Sequence, residues 1–132
     1  MAIRTHSTVP AQTERIIERI LVCGLEVHRG LGPGFLEGIY VRALCHEFKC
    51  AGLPFERERA ITVNYKGVAI PGQRVDLIVA DAVLVEVKAV AGFDAVHHAQ
   101  VLSYLRTTGL RVGLLMNFNV ALLKHGLKRI VL

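Results

Sequence analysis

Asp76, Glu86 and Lys88 are charged residues set in stretches that are otherwise apolar. Asp76 interrupts Val75, Leu77, Ile78 and Val79, while Glu86 and Lys88 interrupt Leu84, Val85, Val87 and Ala89. In an extended segment, side chains alternate between faces. Leu84, Glu86 and Lys88 therefore share one face, and Val83, Val85, Val87 and Ala89 the other. Burying a carboxylate in such a strand costs several kcal/mol (order of magnitude ~3) unless it is paired or binds a metal. Two carboxylates with a lysine two residues along suit phosphodiester hydrolysis. Hard oxygen donors select Mg²⁺ or Mn²⁺ over zinc, and an amine beside them can orient water or hold a phosphate oxygen. The alternative is an Asp/Glu/Lys ion-pair cluster with a structural role alone.

Whether these groups meet depends on strand register. Arg74 to Val79 and Val83 to Val90 read as two strands of a hairpin joined by Ala80-Asp81-Ala82. An odd loop centred on Asp81 sets Asp76 opposite Glu86, with Cβ atoms about 5 Å apart. A two-residue loop would instead set Asp76 opposite Val87, on the wrong face. The Asn-Gly or Asp-Gly pair that favours a tight two-residue turn is absent here, which favours the odd loop.

Helices and further strands must carry this pair. From Ala11, the residues Ile16, Ile20, Cys23, Val27 and Leu31 recur at spacings of three and four, which predicts a first helix. Gly30-Leu31-Gly32-Pro33-Gly34 must end it. A second helix is predicted from Leu36 to Ala51, with Leu36, Ile39, Tyr40, Ala43, Leu44 and Phe48 as its apolar stripe and Gly52 as its stop. Glu56 to Tyr65 reads as a strand followed by a Lys66-Gly67 turn. A third helix is predicted from the N-cap Asp94 to Thr108, with Gly109 behind it. On it, His97, Gln100 and Tyr104 share one stripe, and Val101 and Leu105 the neighbouring one that packs on the sheet. Arg111 to Phe118 reads as an internal strand, and Lys128 to Leu132 as a short edge strand.

Composition bounds the rest. The length of 132 residues suits a single domain over 11–132, with 1–10 as a flexible polar arm. Hydrophobic residues make up 52% of the chain and mean hydropathy is +0.43, so either both sheet faces are covered or some apolar surface meets a second chain, a possible homo-oligomer. No apolar run is long enough to predict a membrane span. Three cysteines, an odd count without a secretory signal, suggest free thiols and a cytoplasmic location. The formal charge of +5 permits a polyanionic partner.

Gly34-Phe35-Leu36-Glu37-Gly38-Ile39-Tyr40 reads G-x-x-E-x-x-Y. With Val27-His28-Arg29-Gly30-Leu31-Gly32-Pro33 before it, this resembles the GxxExxY protein family, which is assigned to the PD-(D/E)xK nuclease superfamily. Asp76, then Glu86-Val87-Lys88, then Gln100 with Tyr104 fit that superfamily's D…ExK…QxxxY pattern. The stretch from Gly113 through Asn117-Phe118 to Lys128-Arg129-Ile130 also looks like the family. The proline of the superfamily's name is absent, since Val75 precedes Asp76.

The resemblance implies an α/β, restriction-endonuclease-like core: a central mixed sheet of four to five strands flanked by helices, in the order ααβββαβ(β). It implies that Glu37 completes an acidic metal site with Asp76 and Glu86, with the Val87 carbonyl as a further ligand and Mg²⁺ or Mn²⁺ as the cofactor. Lys88 would be the catalytic lysine, and Gln100 and Tyr104 would lie near the site from the third helix. The expected activity is a metal-dependent nuclease on nucleic acid, DNA first, with no membrane partner. Two other readings stand beside it: a catalytically silent module that binds nucleic acid or protein, and a structural subunit that oligomerises through apolar surface. Tyr40 joins an apolar stripe and reads as core. His28 suits packing near the glycine turn, His97 and His98 suit a surface, and the cysteines suit packing.

Overall fold

The three-and-four spacing that begins at Ala11 becomes helix α1 (Ala11–Leu31), which Gly32 ends with a positive φ of 65°. A computed structural model describes residues 9–132. Helix α2 (Glu37–Cys50) follows, then β1 (Phe55–Tyr65), β2 (Val68–Val79), β3 (Val83–Lys88), α3 (Ala95–Thr108), β4 (Val112–Asn117), a 3₁₀ turn (Leu123–Gly126) and β5 (Leu127–Val131). The strands form one mixed sheet in the order β1-β2-β3-β4-β5. β3 and β4 are parallel and the other pairs antiparallel. The expected α/β architecture and element order are observed, with β4 internal and β5 on the edge.

Helices cover both faces of the sheet, which accounts for the high hydropathy. On one face Ile17, Ile20, Tyr40, Leu44 and Phe48 pack against Leu77, Val79, Val83, Val85, Val87, Leu114 and Met116. On the other, Val101 and Leu105 of α3 pack against Ile61, Val75, Ile78, Leu84, Leu115 and Ile130. The alternation along β3 is as expected: its valines join the α1/α2 layer and Leu84 the α3 layer. Val9, which the sequence places in the polar arm, is buried in the α1/α2 core; residues 1–8 of that arm lie outside the described residues.

Several local expectations are corrected. The buried stripe of α1 uses Ile17 rather than Ile16. That of α2 is Tyr40, Val41, Leu44, Cys45 and Phe48, while Leu36 and Ile39 are exposed. Apolar spacing sets a stripe, but the neighbouring helix decides which side of it is covered. All three cysteines are free as expected, yet Cys50 is exposed rather than packed. β2 begins at Val68, well before the expected Arg74, because it pairs with β1 back to a two-residue turn. Lys66 and Gly67 of that turn have φ of 48° and 83°, the left-handed pair that a tight hairpin uses. β3 ends at Lys88 rather than Val90.

The β2–β3 register is the one the odd loop requires. Leu77 pairs with Val85, Ile78 with Leu84 and Val79 with Val83, across Ala80-Asp81-Ala82. Ala80 and Asp81 both take positive φ, at 53° and 52°. Continuing this register sets Asp76 opposite Glu86. β2 also changes face at this point: Val75 packs in the α3 layer and Leu77 in the α1/α2 layer, although they are two residues apart. Glu58, across β1 from Asp76, accommodates the irregularity with a φ of 54°.

Candidate active site

Where the β2–β3 backbone ladder stops, two side chains take its place. The Asp76 N–H donates to Glu86 Oε1 at 2.9 Å, and the Val87 N–H donates to Asp76 Oδ2 at 2.9 Å. Each carboxylate thus uses one oxygen on a backbone amide of the opposite strand. This leaves Asp76 Oδ1 and Glu86 Oε2 for other partners. Val87 enters the cluster through its N–H.

Glu86 is 3% exposed. Its carboxyl is pushed up to about 8, first by burial and then by the Asp76 charge, with the Asp76 amide and Lys88 acting in the opposite direction. Two like charges in a water-poor setting favour the protonated form of one of them unless a cation intervenes. Lys88 Nζ lies 4.0 Å from Glu86 Oε2, and it donates to Gln100 Oε1 at 3.1 Å. The lysine is thereby held between the buried acid and α3.

Helix α3 is aimed by its ends. The Asp94 N–H donates to His97 Nδ1 at 3.0 Å in a capping arrangement, and Gly109 ends the helix at φ 76°. Gln100 and Tyr104 then face the sheet one turn apart. The Tyr104 hydroxyl accepts from the Gln73 side-chain amide on β2 and also interacts with Gln100; burial pushes its pKa up. Glu86, Lys88, Gln100, Tyr104 and Gln73 form one polar chain across β3, α3 and β2.

Glu37, the first residue of α2, is half-buried. Burial raises its pKa first and the Asp76 charge raises it further, offset by Lys88 and His97. It therefore lies in the electrostatic field of the site. Its helix start is held by Tyr40, which is fully buried and stacks on Phe118 with ring centroids 4.8 Å apart. The Tyr40 hydroxyl donates to the Gly32 carbonyl at 2.6 Å and accepts the Phe35 N–H at 3.1 Å. Tyr40 is thus a core residue that straps the glycine turn, as its apolar stripe suggests. His28 packs near Phe118 and donates from Nε2 to the Val120 carbonyl at 2.7 Å.

Among the described residues, no group of three or more His, Cys, Asp and Glu side chains is arranged to hold a metal ion. Asp76, Glu86 and Lys88 converge and Gln100 joins them. Glu37 feels the Asp76 charge without joining the pair as a third ligand. The donor chemistry nevertheless fits a hard cation: a buried Glu86 carboxyl and a half-buried Asp76 carboxyl face each other, and each has a second oxygen beyond the one that accepts a backbone N–H.

The sequence profile of the PD-(D/E)XK nuclease superfamily matches residues 14–130. The chain belongs to the PD-(D/E)XK nuclease superfamily. No curated protein and no solved structure gives a match to it. PD-(D/E)XK membership suggests a nuclease, implies a nucleic-acid substrate and brings with it the superfamily's typical use of divalent metals. None of the described helices is long and apolar enough to cross a membrane.

Sequence reasoning gave no role to two residues of this candidate site. Gln73 lies in a stretch that shows no strand alternation, so nothing marked it. Asn117 is 2% exposed and opposite Lys88 in the β3–β4 ladder. It donates to the Val90 carbonyl at 2.9 Å and accepts the Val90 N–H at 3.1 Å, which fixes the segment leaving Lys88 toward α3. Its signals were its place at the end of an apolar strand and in the family-like Asn117-Phe118 stretch, neither of which assigns it a role.

Proposed function

We propose that this protein is a metal-dependent nuclease that hydrolyses phosphodiester bonds in nucleic acid, DNA first. The observation that carries this reading is the Asp76–Glu86 pair, locked by each other's strand amides with Lys88 4.0 Å from Glu86. Asp76 Oδ1 and Glu86 Oε2 would hold Mg²⁺ or Mn²⁺, with Glu37 turning in as a third donor and the Val87 carbonyl as a further one. A divalent cation supplies charge to the pentavalent phosphate and acidifies water. Lys88 orients the attacking water and stabilises charge on the phosphate oxygens. Gln100 fixes the lysine ammonium at its position, and Tyr104 holds Gln100 against β2. Asn117 keeps the backbone after Lys88 in place. The G-x-x-E-x-x-Y stretch supports membership of the GxxExxY family within the superfamily, with residues 11–132 as one domain acting in the cytoplasm.

A second reading is a catalytically silent module that binds nucleic acid or protein. It is favoured by the absence, among the described residues, of a converged three-ligand group. Calorimetric titration with Mn²⁺ and Mg²⁺ on the wild type and on Asp76→Ala separates the two, followed by incubation of DNA and RNA with Mn²⁺. Cation binding that Asp76→Ala abolishes, with cleavage that Lys88→Ala slows by about 10²-fold or more, supports the nuclease. Cation binding without cleavage supports the silent module, and cleavage as fast in Lys88→Ala as in the wild type is contamination.

A further inference from the structure

The outer hairpin of the sheet is much longer than the sheet needs. β1 has 11 residues and β2 has 12, whereas β3 has 6 and pairs with β2 over Leu77, Ile78 and Val79. Past Ile61, which is buried under α3, and Gln73, which is tied to Tyr104, the two strands run on without a third. Residues 62–72 are all exposed on this two-stranded arm. A register shift between Ile61 and Val63 marks its root. The arm grows out of the strand that carries Asp76, and Lys66 at its tip is ten residues away, roughly 30 Å at about 3.3 Å per residue.

On the arm itself, residues 62–72, the one charged residue is Lys66, and two arginines stand at its root. Arg59, Lys66 and Arg74 lie between Glu58 and Asp76, and no carboxylate does. Arg59 and Arg74 stand 3.9 and 4.0 Å from Glu56 and Glu58, in long, exposed pairs that a phosphate displaces at little cost. One face of the arm is apolar: Val63 pairs with Ile70 and Tyr65 with Val68, and all four are exposed. A two-stranded ribbon fits the B-DNA major groove, about 12 Å wide, where apolar side chains meet thymine methyl groups. The major groove of duplex RNA is too narrow to admit it.

We propose that the β1–β2 arm is a duplex-DNA clamp, inserted in the major groove beside the phosphate presented to Asp76, Glu86 and Lys88. This rests on the nuclease reading for the position of that phosphate, and on the basic residues at the arm's tip and root and on its shape for the partner. The test is fluorescence anisotropy in EDTA, which suppresses turnover, with labelled duplex DNA, duplex RNA and single-stranded DNA. The variants are Arg59→Ala/Lys66→Ala/Arg74→Ala and a shortened arm in which Asn-Gly joins Ile61 to Gln73. Circular dichroism and light scattering report their folding and assembly. Duplex DNA should bind at least about tenfold tighter than duplex RNA, and the triple variant should lose about tenfold or more in affinity. Its log K against log salt slope should become shallower by about 3, near 0.9 for each lost phosphate contact.

Undiminished duplex-DNA affinity in both variants overturns the clamp. So does a wild-type dimer that becomes a monomer on shortening the arm while DNA affinity is unchanged, since the apolar face then meets a second copy. Arm-dependent binding without cleavage in Mn²⁺ leaves the clamp standing and removes the nuclease reading. Cleavage and binding unaffected in the triple variant do the reverse.

Discussion

Asp76 and Glu86 are joined crosswise: Glu86 accepts the N–H of Asp76, and Asp76 accepts the N–H of Val87, each at 2.9 Å. The sheet therefore continues past Leu77 through side chains, at the cost of two like charges face to face. Glu86→Gln keeps an oxygen for the Asp76 amide and removes one charge. In EDTA at pH 8 this variant should be more stable than the wild type by about 1–3 kcal/mol. In Mn²⁺ the order should reverse, because only the wild type gains binding energy. Thermal melts under the two conditions check both signs; an unchanged or lower midpoint for Glu86→Gln in EDTA would remove the proposed repulsion.

Stability should also depend on pH with a definite sign. Glu86 is pushed up to about 8, whereas an unfolded carboxyl titrates near about 4.3. Between those values the folded chain retains a proton that the unfolded chain has released. The Glu86 contribution is therefore fully present at low pH and declines as pH rises through this window. Glu37, raised for the same reasons, slopes the same way. Urea unfolding in EDTA from acid to mildly alkaline pH should show the wild type losing stability relative to Glu86→Gln. A difference that stays flat across the window would contradict the buried, repelled carboxyl.

Lys88 separates chemistry from metal binding. Its ammonium is held by Gln100 and stands off Glu86 at 4.0 Å. Lys88→Ala should lower the cleavage rate by about 10²–10³-fold, the magnitude typical of losing one charged stabiliser of the transition state. Mn²⁺ affinity by calorimetry should be equal or tighter, since a competing cation has been removed. Weaker Mn²⁺ binding would mean that the lysine props up the ligands instead.

Tyr40 should behave as structure. Tyr40→Phe keeps the ring stacked on Phe118 but leaves the Gly32 carbonyl and the Phe35 N–H without their partner. The expected cost is about 1–3 kcal/mol in urea unfolding, with cleavage changed little once the protein is folded. A large loss of cleavage at wild-type stability would assign the hydroxyl to the chemistry.

Much of the site follows from local periodicity. The alternation of β3 puts Glu86 and Lys88 on one face. The three-residue loop Ala80-Asp81-Ala82 sets Asp76 opposite Glu86. The three-and-four spacing on α3 brings Gln100 and Tyr104 to one stripe, and Asp94 and Gly109 bound that helix as capping chemistry requires. Such features depend on residues a few positions apart, so the chain records them directly.

Other features arise only where distant segments meet. The face change of β2 at Asp76, the Gln73–Tyr104 bond and the Asn117 clamp on Val90 each join segments 27 or more residues apart or answer to packing on both sides of the sheet. The length of the β1–β2 arm depends on where β3 stops, and the exposure of Leu36 and Ile39 on which side of α2 meets its neighbours. Sequence by itself determined the elements, the strand register and the charged pair, because backbone geometry repeats every two or 3.6 residues. Tertiary structure alone decided which oxygens are engaged, which helix face is covered and what the arm leaves open, because burial depends on partners that no local period encodes.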